Sequence, residues 1–164
     1  MDALECIHTR RSVRAYTDEP VNPEQTRELL AAAMTAPSAC KQFPWEFVVV
    51  SERKMLDAVK SFHPHAGMAS KAPLGILVCA DPGLEGRCPG YWVQDCAAAT
   101  ENLLLAARAL GLGAVWTGVY PEEARMEGFR KMLDIPDRIM PVAFIVIGHP
   151  AEARAWRGEK ARVS

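Results

Sequence analysis

Two hydrophobic rhythms run along this chain. Residues 46–50 (EFVVV), 74–80 (LGILVCA) and 142–148 (VAFIVIG) are nearly unbroken apolar runs rich in β-branched and aromatic side chains, the pattern of strands covered on both faces. A fourth strand is expected over residues 113–119. Helical spacing fills the intervals. Residues 2–8 read as a short helix, and Asn22-Pro23-Glu24 supplies an N-cap, a first-turn proline and a first-turn acid for a second helix ending near Thr35, before Pro37. Residues 95–110 are Ala- and Leu-rich with hardly a charge, so this helix must be covered nearly all round. Gly111 stops it, and a further helix over residues 121–133 closes before Pro136. The order helix, strand, helix, strand, long buried helix, strand, helix, strand predicts an α+β or α/β sandwich with a mixed sheet. A helix apolar on every side in so small a domain predicts that a second copy of the chain supplies part of its cover.

Composition narrows the class. The chain has 164 residues and neither a repeat nor a linker long enough to divide it, so residues 1–164 read as one domain. A domain of about this length buries roughly 70% of the surface its unfolded chain exposes, so its core needs no disulfide or structural metal. A formal net charge of -1, with no aromatic residues interleaved in a basic stripe, argues against nucleic-acid binding. The first 14 residues carry no long apolar run, and residues 72–80 and 141–148 are too short to span a bilayer, so a soluble cytoplasmic protein without membrane partners is expected. Five cysteines, an odd number without CxxC spacing, predict reduced thiols rather than a disulfide framework.

The charges are unevenly spread. His8, Arg10, Arg11 and Arg14 crowd the start, and Arg154, Arg157, Lys160 and Arg162 crowd the end. Arg10-Arg11-Ser12-Val13-Arg14 has no hydrophobic stripe, and its guanidinium groups and hydroxyl suit an anion such as phosphate. In residues 37–45 (PSACKQFPW), two prolines fix a loop, small residues allow close backbone approach to a flat ligand, and Lys41 and Gln42 offer donors. Other chemistries fit less well. Gly111-Leu-Gly113 follows a helix and precedes a strand, the reverse of a dinucleotide-binding turn, and no P-loop or nucleophile elbow is present. His63-Pro64-His65 lacks the paired spacing of a zinc site, so no metal is expected. Cys40 reads either as an incidental loop cysteine or as a reactive thiol of a flavin-free protein.

Taken together, Arg10-Arg11-Ser12-x-Arg14, the block from Ala36-Pro37-Ser38-Ala39 through Gln42-x-Pro44-Trp45, the Ala-rich helix with Gly111-Leu-Gly113 and Trp116-Thr117-Gly118, and residues 147–152 (IGHPAE) resemble the FMN-dependent nitroreductases over nearly the whole chain. The resemblance implies a homodimer with two FMN sites at the interface, a three-layer α+β fold and electron transfer from NADH or NADPH through flavin N5 to a small-molecule acceptor such as a nitroaromatic or quinone, by a ping-pong mechanism. It implies that Arg10, Arg11, Ser12 and Arg14 hold the FMN phosphate, ribityl chain and pyrimidine edge from one subunit, and that Pro37, Ser38, Ala39 and the position of Lys41 line the flavin from the other. Val115, Thr117 and Gly118 would bring backbone close to the isoalloxazine, and Lys160 and Arg162 would be the C-terminal phosphate contacts. No side chain is expected to act as a nucleophile, since the chemistry belongs to the cofactor, with Arg14 tuning it. Cys40, Lys41 and Phe43 stand where the family usually has a small residue, Asn and often a second Gln. A flavin-binding module for storage, sensing or oxygen-dependent chemistry is the alternative that keeps the fold.

Overall fold

The computed structural model describes residues 1–151. Strands β1 (Trp45–Val50), β2 (Leu74–Ala80), β3 (Gly113–Gly118) and β4 (Met140–Gly148) form one sheet in the order β1-β2-β4-β3. Every neighbouring pair is antiparallel, so the mixed sheet expected from the sequence is corrected here. Among the described residues the parallel component is an isolated bridge between Ser12 and Ala114. Pairing direction depends on how the connecting helices return the chain, which a strand's own composition does not encode.

Side chains alternate across this sheet as strand geometry requires. Ile76, Val78, Ile145 and Ile147 pack on one face with Leu29 and Ala33 of α2 (Pro23–Met34) and Cys96, Ala99 and Leu103 of α4 (Trp92–Ala109). Leu77, Phe144 and Val146 pack on the other with Leu56 of α3 (Arg53–Ala58) and Met126 and Phe129 of α5 (Glu123–Leu133). The result is the expected three layers. β2 is buried throughout, and Gly75 within it is obligatory, because a Cβ there would stand 2.3 Å from the Phe144 ring. β1, at the sheet margin, leaves Glu46 and Val49 exposed, so the expectation of two covered faces holds for β2 and β4 and fails for β1.

The helix ends follow local chemistry. Asp2 caps α1 (Ala3–Thr9) by accepting from the Glu5 amide, and Asn22 and Gln25 form a reciprocal capping box on α2. α4 carries its apolar surface nearly all round, and along its length only Gln94, Glu101 and Ala109 are exposed. Between β1 and β2 the Arg53 guanidinium donates to the Ala69, Ser70 and Ala72 carbonyls, lashing a short 3-10 turn (Gly67–Lys71) to α3. The cysteines require a second correction: Cys40 and Cys88 form a disulfide across a separation of 48 residues, while Cys6, Cys79 and Cys96 are free and buried. The odd count hid a pairing that depends on two remote loops meeting.

Candidate functional site

Segment 10–14 is pinned along the outer edge of β3. The Val13 amide donates to the Ala114 carbonyl at 3.0 Å, and Gly113 makes the approach possible, since a Cβ there would lie 2.6 Å from Val13 Cγ1. Tyr16 anchors the far end: its hydroxyl lies 2.5 Å from the Val13 carbonyl and 3.0 Å from that of Val146, and burial pushes its phenol well above the usual range. On this scaffold the arginines diverge. Arg10 Nε lies 3.5 Å from Glu101 of α4, and Arg11 donates to the His8 and Arg10 carbonyls. Arg14 is exposed and makes no hydrogen bond or ion pair among the described residues. Its donors, beside the half-buried Ser12, stand open to an oxyanion.

Beyond Ala114 the outer edge of β3 pairs with no backbone segment among the described residues. Because the Ala114 carbonyl points outward to Val13, the backbone groups of Trp116 and Gly118 also point outward, and those of Val115 and Thr117 pair toward β4. The Val115 side chain is core, and the Thr117 hydroxyl donates to the Phe144 carbonyl at 2.7 Å. Gly118 has no atom within 4 Å of a built Cβ, and its carbonyl accepts from Arg125. Beneath this region lies His63, fully buried with neither ring nitrogen at hydrogen-bonding geometry. Burial first, then the Arg125 guanidinium, lower its pKa to about 4.

Loop 37–45 is held from several sides. The Ala39 amide donates to Asp95 Oδ1 at 3.0 Å, and the Phe43 amide donates to Ser38 Oγ at 3.0 Å. Gln42 Oε1 accepts from the Arg87 and Cys88 amides, and its Nε2 donates to the Cys88 carbonyl. Cys40, Lys41 and Phe43 all adopt left-handed backbone, at φ 52°, 55° and 48°, a region L-residues enter at an energetic cost. Asp95, in the first turn of α4, and Glu85 are buried beneath these loops, each with one carboxylate oxygen lacking a partner. Asp95 and Cys88 escape sequence reasoning, although an acid in the first turn of an otherwise apolar helix is a visible signal.

Among the described residues no hydrogen bond or ion pair joins these two groups. Loop 37–41 hangs on Asp95, whereas segment 10–14 follows Thr9, whose hydroxyl accepts from Arg108 Nε at 3.0 Å. At about 1.5 Å per helical residue, Asp95 and Arg108 stand roughly 20 Å apart along α4. Between α1, α2 and α4 lies an apolar groove of about 400 Å³ lined by Ile7, Ala32, Leu105 and Ala106 among others. Exposed Leu4, Ile7 and Met34 carry apolar surface along the same two helices. Lys160 and Arg162 lie outside the described residues. No cluster of His, Cys, Asp or Glu suited to a metal occurs among the described residues, and no described helix is long and apolar enough to cross a membrane.

Comparison with known proteins places this geometry. The model of the Nitroreductase family matches residues 7–72 and 66–149. The "Putative NADH dehydrogenase/NAD(P)H nitroreductase" of Methanothermobacter thermautotrophicus is 51% identical, over 93% of this chain and 79% of its own. The crystal structure of a protein of the same name from Bacteroides thetaiotaomicron superposes with a TM-score of 0.92 at 42% identity, covering 98% of this chain and 93% of that one. A "putative nitroreductase in complex with fmn" from Desulfovibrio desulfuricans superposes with a TM-score of 0.80 at 32% identity, covering 96% and 93%. The chain belongs to the nitroreductase family.

Proposed function

We propose that this chain is an FMN-dependent oxidoreductase, taking electrons from NADH or NADPH and passing them to a small acceptor of the nitroaromatic or quinone class. Two copies of the chain complete each site. The observation that carries this reading is that segment 10–14, with the open guanidinium of Arg14, and the rigid small-residue loop Pro37-Ser38-Ala39 hang on separate stretches of α4, with no hydrogen bond or ion pair between them among the described residues. Neither half makes a cofactor site alone.

The residues present fit FMN. Arg14 and Ser12 offer charge-assisted and neutral donors to oxyanions, and Arg10, paired only at 3.5 Å to the half-exposed Glu101, can turn to a phosphate. Backbone groups at Trp116 and the Gly118 amide have no backbone partner among the described residues, and Gly118 presents no side chain to a flat ring, while its carbonyl is taken by Arg125. When bound, FMN supplies the two-electron chemistry between nicotinamide and acceptor.

The protein's own part is positional and electrostatic. The Ser12–Ala114 bridge and the Gly113–Val13 contact fix the direction from which Arg14 reaches the site. An arginine beside the pyrimidine edge stabilises negative charge developing there and so favours the reduced cofactor. Asp95 holds the Ala39 amide, setting the height of the loop that forms the other wall. Lys41, exposed beside that wall, adds a cation suited to a nicotinamide phosphate or an anionic acceptor.

The relative solved in complex with FMN and the Methanothermobacter relative named for NAD(P)H support this reading. Steady-state assay with NADH or NADPH and a nitroaromatic tests it. Turnover with parallel double-reciprocal lines is the expected result; flavin bound without turnover with either nicotinamide would leave the storage or sensing module instead.

A further inference from the structure

We propose that Cys40 and Cys88 form a thiol–disulfide exchange site, with dithiols as reductant, whose disulfide state locks loop 38–43 against residues 85–90. The pair joins a single 3-10 turn (Ala39–Lys41) to a loop and touches no strand or α-helix, with Cα atoms 6.2 Å apart, inside the span a disulfide bridges. Access separates it from the other cysteines: Cys40 is exposed and Cys88 half-buried, whereas Cys6, Cys79 and Cys96 are buried. Lys41 follows Cys40 and Arg87 precedes Cys88, the cationic surroundings that favour a departing thiolate.

The loop gives the bond something to control. Left-handed backbone at Cys40, Lys41 and Phe43 is sustained only while its surroundings impose it. The surroundings are the disulfide, the Gln42 bridge to the Arg87 and Cys88 backbone, the Ser38–Phe43 bond and the Ala39–Asp95 bond. Two of these four join loop 38–43 to residues 85–90, and both run through Cys88. The unpartnered oxygens of Glu85 and Asp95, buried under the two loops, are satisfied once water enters, which further favours opening when the covalent link is cut.

In the exchange, one thiolate of the dithiol attacks the exposed Cys40 Sγ. The Cys40–Cys88 bond breaks, and Cys88 leaves as a thiolate that takes a proton from solvent. The second thiol of the reductant, deprotonated, attacks its own sulfur in the mixed disulfide and releases Cys40, which is protonated in turn. Two electrons and two protons reach the cysteine pair, and the dithiol becomes a cyclic disulfide. That the loop so released is a flavin wall rests on the function proposed above; the exchange itself does not.

The test equilibrates the full-length protein in oxidised and reduced dithiothreitol mixtures, then applies acid quench, alkylation and mass mapping, with hydrogen exchange of residues 38–43 and 85–90 in parallel. With alkylation carried out in denaturant after the quench, the expected result is three alkylated cysteines in the oxidised state and five in the reduced, the difference mapping to Cys40 and Cys88. Amide exchange in both segments should rise by about tenfold or more on reduction. The double variant C40S/C88S should exchange fast in both buffers, and the wild-type titration alone decides the matter if that variant does not fold. Alkylation of both cysteines at every buffer ratio, resistance to dithiothreitol short of unfolding, or identical amide exchange in the two states would each overturn the proposal. FMN titration of both states separates the two readings: failure to bind FMN in either state removes the flavin assignment and leaves the exchange result standing.

Discussion

Arg14 and Arg11 make a matched pair for experiment because the structure uses them oppositely. Arg14→Ala should weaken FMN binding by roughly 10- to 100-fold, the worth of a charge-assisted contact, with little change in melting temperature, since the exposed side chain makes no hydrogen bond or ion pair among the described residues. Arg11→Ala should change FMN affinity much less, because that guanidinium serves the His8 and Arg10 carbonyls. Fluorescence titration of the two variants distinguishes them, and equal losses would remove the assignment. His63 sets a pH dependence. Its folded pKa of about 4 lies below the unfolded value near 6.5, so the unfolded state takes up the proton first as pH falls. Stability is therefore full above about pH 6.5 and is lost progressively toward pH 4, by up to about 3 kcal/mol. Thermal melts across that window should show a slope that His63→Phe flattens; an unchanged slope would exclude His63 as its source. Nothing around His63-Pro64-His65 in the sequence announces a buried, unpartnered imidazole, because its burial comes from Phe129 and the Gly118 region, more than fifty residues away.

At the scale of elements, what was readable was what is local. The Asn22-Pro23 start and the end of α2 before Thr35 follow from capping chemistry, and β2 emerges with its expected bounds because seven consecutive apolar residues leave no other placement. Asn22→Ala should lower stability by about 1 kcal/mol, measured by urea denaturation, because it removes the side-chain acceptor of the Gln25 amide and leaves only the bond from the residue-22 amide to the Gln25 side chain. The stretch between β1 and β2 has no such signal: α3 is only six residues long and the following turns are 3-10, stabilised by Arg53 reaching backbone carbonyls sixteen to nineteen positions away. Antiparallel pairing and the Cys40–Cys88 bond were hidden for the same reason, being relations between distant segments. The candidate site divides likewise. Segment 10–14 and loop 37–45 stand out by composition, whereas Asp95 and Gln42, which hold the loop, matter only through partners the sequence does not place beside them.

For the whole molecule, the proposed pair of half-sites on separate stretches of α4 and the apolar groove beside α1 carry one expectation: binding FMN and pairing two chains should be the same event. Ile7→Glu places a charge at that groove and should shift the protein toward monomer in sedimentation while lowering FMN affinity in parallel. A monomeric variant that binds FMN as tightly as the wild type would separate the two and remove the shared site. On the proposed function the basic residues at the start of the chain would act at an interface, with Arg14 facing a cofactor whose other wall belongs to a second copy. The most direct measurement is the absorbance spectrum of the purified protein, reconstituted with FMN and then titrated with NADH and NADPH without oxygen. The expected result is a bound flavin spectrum with one FMN per chain, bleached by at least one nicotinamide and restored by a nitroaromatic or quinone; a colourless protein that takes up no FMN would contradict the account.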